Sequence, residues 1–177
     1  AALAQPAITI DVDNPVLRPG ESTVVTMWAG FDTDDYAMAG LETSLVTSVG
    51  SEGWSDLRLV EPMDGPGTSA GGAVASGIEA IIAGQLHIPW HGFGADASNP
   101  IAFWEATYTA SGDVGTPFDI DLMTTTSRYD VYVSRDIARA EPRLTDLVEG
   151  AATIRVIPAP ASALVLTLGA VAARRRC

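Results

Sequence analysis

Lysine is absent from these 177 residues, and cysteine occurs once, as the terminal Cys177. Without a second thiol no disulfide can form within the chain, so packing alone must hold its body together. All ten basic residues are arginine, and three of them, Arg174, Arg175 and Arg176, stand beside that cysteine. The residues before Arg174 therefore carry seven arginines against 22 acids, a net of −15. A surface of that sign repels phosphate backbones, which argues against nucleic acid as a partner. A sustained helical period, an internal repeat and the familiar catalytic motifs are also missing. Thr68-Ser69-Ala70-Gly71-Gly72 lacks the spacing of a nucleophile elbow. Its glycines do not join a strand to a helix, as a phosphate loop requires. The chain is read as a non-enzyme.

What the sequence does have is alternation. A hydrophobic fraction of 47% points to a folded body rather than disorder. Ile8, Ile10 and Val12 alternate with polar neighbours; Ser22 to Ala29 is rich in β-branched residues; Gly40 to Val49 and Ile101 to Ala110 follow the same habit. Phe118, Ile120 and Leu122 are set to face one way, as are Tyr129, Val131 and Val133. Period two with Gly, Pro, Asp and Ser between segments predicts an all-β, two-sheet antiparallel sandwich of eight or nine strands. Glu61 to Gly77, crowded with Pro and Gly, reads as loop or irregular edge. Ile78 to Ile82 and Gln85 to Ile88 read as a hairpin or bulged strand around Gly84, Leu144 to Val148 as a helical turn, and Ala152 to Ile157 as the closing strand. Residues 1–6, with Ala2 and Ala4 in the small-residue cleavage pattern, read as the remnant of an export signal or as a flexible N-terminus. The sandwich domain then spans 7–157.

Residues 158–177 differ in character. Pro158-Ala159-Pro160 ends the last strand, thirteen uncharged residues run from Ala161 to Ala173, and the arginine cluster closes the chain. As a helix that stretch reaches only about 20 Å against a hydrocarbon core of about 30 Å. The arginines resist translocation and suit the cytoplasmic side. This three-part order resembles the PEP-CTERM sorting signal of bacteria, in the short Pro-Ala-Pro-Ala-Ser form of planctomycete-type proteins. Ala159 stands where glutamate is typical. The resemblance implies a sorting motif at Pro158, Pro160, Ala161, Ser162, Arg174, Arg175 and Arg176, an exosortase-like processing enzyme and the inner membrane as partners, and a short C-terminal hydrophobic helix. It also implies an exported protein of the cell envelope or extracellular matrix. The alternative is a C-terminal helix packed on the body.

The body resembles cohesin-like extracellular β-sandwich modules. The likeness lies in Leu17-Arg18-Pro19-Gly20-Glu21-Ser22-Thr23-Val24-Val25-Thr26 and in Met38-Ala39-Gly40-Leu41 leading a strand. It implies a module that binds a dockerin-like protein partner or extracellular polysaccharide. Three side-chain groups bear on such binding. Asp32, Asp34 and Asp35 can offer calcium several oxygens from one loop, or form a solvated acidic turn; the spacing departs from an EF-hand. Trp90 and Phe93, in a loop rich in glycine, are candidates for stacking on a ligand, whereas Trp54 and Trp104 read as core. His87 and His91 stand four apart, but Pro89 between them opposes the helix that would join them at a metal.

Overall fold

Alternation of this kind can bury only one side of each strand, so the strands must pair into sheets that face one another. The computed structural model describes residues 5–86, 94–111, 115–134, 140–142 and 147–159, and among these there are eleven strands and no helix. They are β1 (Ala7–Val12), β2 (Val16–Leu17), β3 (Ser22–Gly30), β4 (Ala37–Thr47), β5 (Trp54–Leu59), β6 (Ser69–Val74), β7 (Gly77–Gly84), β8 (Ile101–Thr109), β9 (Phe118–Tyr132), β10 (Ala140–Pro142) and β11 (Ala151–Val156). One sheet has four strands in the order β1-β3-β8-β5. The other has seven, in the order β2-β11-β9-β4-β7-β6, with β10 also on β9. Every pairing is antiparallel except β2 with β11. Between the sheets lie Ile8, Met27, Leu45, Ile81, Phe103, Trp104, Ile120, Tyr129 and Ile154, all essentially sealed from water.

Several expectations need correction. β5 was not foreseen, because a bulge interrupts its alternation. Ser55 pairs with Thr107 and Arg58 with Glu105, so Asp56 and Leu57 together oppose Ala106. Asp56 takes a positive φ of 53°, a conformation aspartate tolerates better than most residues. Of the stretch read as loop or irregular edge, residues 69–74 take the edge form as β6, folded onto β7 through Ala75 and Ser76. β7 stops at Gly84, so Gln85 and Leu86 do not continue it. Of the predicted helical turn Leu144 to Val148, residues 144–146 lie outside the described residues; Val148 is extended, its N–H donating to Pro6 O at 3.0 Å and its carbonyl accepting from Ile8 N at 2.9 Å, so that it bridges the edge of β1. The predicted C-terminal helix lies outside the described residues.

β9 shows why its two halves follow different phases. Ile120, Leu122 and Thr124 are buried at even positions, Tyr129 and Val131 at odd ones. Glu42 pairs with Arg128 and Thr43 with Thr126, which leaves Ser127 as an extra residue and reverses the parity. A second bulge at Ala39 does the same in β4, where Met38 pairs with Val131 and Gly40 with Asp130.

Candidate functional site

With the odd positions of β4 turned inward, its even positions face water on the outer side of the seven-stranded sheet. The register aligns them across neighbours. Ala151, Met123 and Val46 form one row; Thr125 and Ser44 the next; Arg128, Glu42 and Ile82 a third; Asp130, Gly40 and Gly84 a fourth. Val46, Ile82 and Met123 are 41%, 37% and 55% exposed. Val46 and Met123 adjoin in one row, and Ile82 stands two rows away beside Glu42 and Arg128, so large apolar side chains left in water are interspersed with polar ones on adjacent strands.

Beside these rows is a depression of about 260 Å³. Its floor is the Gly40–Gly84 pair, and Pro66-Gly67-Thr68 overhangs one side. A Cβ on Gly40 would come within 2.9 Å of Ala83 O, so the floor has to be glycine there. Opposite stand Glu42, Arg128, Asp130 and Tyr132. The Arg128 guanidinium donates through Nε to Asp130, whose side chain is only 6% exposed. Burial first, and then the negative charge of Asp130, push the Tyr132 phenol above its ordinary pKa. That phenol donates to Gln85 O at 3.2 Å. Gln85 is itself a buried clasp: its Nε2 donates to Met38 O at 2.7 Å and Asp96 O at 2.9 Å, and its Oε1 accepts from Asp96 N at 2.5 Å. The far end of this face is thereby held rigid, as a recognition surface needs to be.

The residues singled out in the sequence fare differently. Asp34 is exposed, Asp32 half-buried and Asp35 buried. Among the described residues no three His, Cys, Asp or Glu side chains are grouped to hold a metal ion. Trp90, Phe93, His87 and His91 lie outside the described residues, as do Pro160, Ala161, Ser162 and Arg174 to Arg176. Pro158 comes two residues after the end of β11 and has no regular structure. Trp104 is fully buried and its indole N–H donates to Ala70 O at 2.9 Å; Trp54 stacks obliquely on Tyr108 and Trp104, with ring centroids 5.1 and 6.3 Å away. Sequence reasoning missed Glu42, Val46, Met123, Arg128 and Asp130. Alternation could have marked Val46 and Met123 as outward, but only the bulges decide that Arg128 and Asp130 join them.

The two sheets, with β2 and β11 paired in parallel, form a β-sandwich of cohesin-like fold. No family model and no curated protein matches the chain. Among solved structures it is similar to the seventh ScaB type I cohesin from Pseudobacteroides cellulosolvens, with 13% identity over 87% of this chain and 95% of that one, TM-score 0.55. It is also similar to a cohesin module of a family 33 glycoside hydrolase from Clostridium perfringens, with 10% identity over 88% and 98%, TM-score 0.54. A third likeness is to a chain of the Coh-OlpC–Doc435 type I cohesin–dockerin complex from Clostridium thermocellum, with 12% identity over 90% and 99%, TM-score 0.53.

Proposed function

We propose that the body is a non-catalytic protein-docking module of an exported protein, and that residues 158–177 are its sorting tail. The observation that carries the docking reading is the outer face of the seven-stranded sheet, where Val46, Ile82 and Met123 stand in water beside a walled polar depression. The fold supports it too, since one of the similar structures is a cohesin–dockerin complex. A partner for this face presents an aliphatic surface flanked by basic side chains. The former covers Val46, Ile82 and Met123, and the latter meet Glu42 and the strongly acidic body.

Photo-crosslinking from position 123 in cells that secrete the chain, followed by identification of the adduct, tests the docking reading. One protein should cross-link from position 123 and not from Thr9 on the opposite sheet. The double substitution Val46→Lys and Met123→Lys should weaken its binding by at least about 100-fold, the size of a lost hydrophobic hot spot. Equal binding by the double variant would sink the reading.

The tail is tested by fractionating cells that express the chain with and without residues 158–177. Full-length protein should be retained in the envelope and the truncated form released. The same distribution for both would remove the sorting role.

A further inference from the structure

We infer a second binding site, on the outer face of the four-stranded sheet, that takes a neutral polysaccharide with Trp28 as its stacking platform. The ladder sets the arrangement. Thr9, Trp28 and Ala102 lie side by side on β1, β3 and β8; the next outward row is Asp11, Thr26, Glu105 and Arg58; the row beyond includes Val24, Thr107 and Ser55. Rows on one strand face are about 7 Å apart, so the indole sits one step from a line of ionised and hydroxyl groups. Trp28 is half-buried, and its flanking side chains are a threonine and an alanine. Ala102 owes its place to a bulge: Met27 pairs with Trp104 and Trp28 with Ala102, so Phe103 and Trp104 both turn inward and the small residue is left outside.

This face differs in kind from the docking face. Its large apolar side chain is the aromatic Trp28, and around it are groups that exchange hydrogen bonds with hydroxyls. The Arg58 guanidinium donates through both Nε and Nη2 to Glu105 Oε2, which leaves Glu105 Oε1 and the other guanidinium N–H groups for a ligand. Arg58 is 70% exposed and Glu105 24%. The two border a depression of about 290 Å³ whose other walls are Val24, Asp56 and Thr107. An aromatic platform with neighbouring ionised hydrogen-bonding groups suits a sugar ring, which offers one C–H face to the indole and paired hydroxyls to the charged side chains. Charge chooses among sugars. Asp11, Asp13, Asp56 and Glu105 outnumber Arg58, so uronates and sulfated polymers are repelled and a neutral chain is accepted.

Affinity electrophoresis of the full chain in gels containing mixed-linkage β-glucan, xyloglucan or galactomannan tests this, with polygalacturonate as the anionic comparison. At least one neutral polymer should retard the protein and polygalacturonate should not. Trp28→Ala should weaken the retardation by about ten-fold or more, with Trp28→Tyr intermediate. Thr9→Arg, at an exposed position beside the indole, should block the same site even if Trp28→Ala proves unstable. Met123→Lys, on the opposite sheet, should change nothing, which separates this site from the docking face. The inference is overturned if no neutral polymer retards the wild type, if Trp28→Ala and Thr9→Arg migrate like it, or if polygalacturonate retards it equally. It is also overturned if Trp28→Ala weakens a protein complex and no polysaccharide binding.

Discussion

Two tryptophans that look alike in the sequence carry unequal weight in the structure. Trp104 is sealed in the core and its indole N–H has an acceptor, Ala70 O, on the edge strand β6. Trp104→Phe removes that hydrogen bond and leaves a void, so it should cost about 2–3 kcal/mol. Trp54 is half-buried, and among the described residues its indole N–H has no acceptor. Trp54→Phe keeps the ring contact with Tyr108 and gives up no hydrogen bond, so its cost should stay near 1 kcal/mol or less. Chemical denaturation of both variants decides the matter: equal losses would show that the Ala70 bond contributes nothing. Neither residue belongs to a site. The tryptophan that does, Trp28, sits on a strand whose odd positions Val25, Met27 and Ala29 are core, and that alternation already sets it outward.

At the scale of elements, the sandwich is closed on one side by a short extended segment, residues 147–150. Glu149 holds it there. Its carboxylate accepts from Thr124 Oγ1 at 2.7 Å, Thr126 N at 2.8 Å and Thr126 Oγ1 at 3.0 Å, while Thr124 Oγ1 accepts from Gly150 N at 2.7 Å. Glu149→Ala strips three acceptor contacts from an exposed side chain and should cost about 1–2 kcal/mol. Glu149→Gln keeps an acceptor for Thr126 N and should lose less. A melting temperature lowered by a few degrees in the alanine variant, and by less in the glutamine variant, is the expected result. No change in either would mean that the segment is held by its backbone pairing with β1 alone. The bulges act at this same scale. Were Ser127 paired in regular alternation instead of bulged out, Arg128 and Asp130 would turn inward and the polar wall of the depression would be lost.

For the whole molecule, the two proposed sites lie on the opposite outer faces of the sandwich, one on each sheet. β11 ends at Val156, and Ile157 N donates to Leu17 O at 2.8 Å, which ties the residue after the last strand to β2. Deleting residues 158–177 should therefore leave the melting temperature within about 2 °C of the full chain, since no pairing of the described sheets is removed. A drop of 10 °C or more would show that the tail packs on the body, contrary to the sorting role proposed for it.

The strands around Ile8, Val25, Leu45, Phe103, Ile120 and Ile154 were legible because side chains on extended backbone alternate by covalent geometry, whatever the strand's neighbours. The acidic character also follows from sequence alone. What only the tertiary structure decided is which strands adjoin and in what register. β4 and β9 are some eighty residues apart, as Glu42 and Arg128 show, and no local pattern encodes their pairing. The unforeseen β5 depends on β8 for its identity as a strand, and the bulges at Ala39, Phe103 and Ser127 exist only as mismatches between partners. Because both proposed sites are rows of side chains drawn from several strands, they come into being only when that register is set.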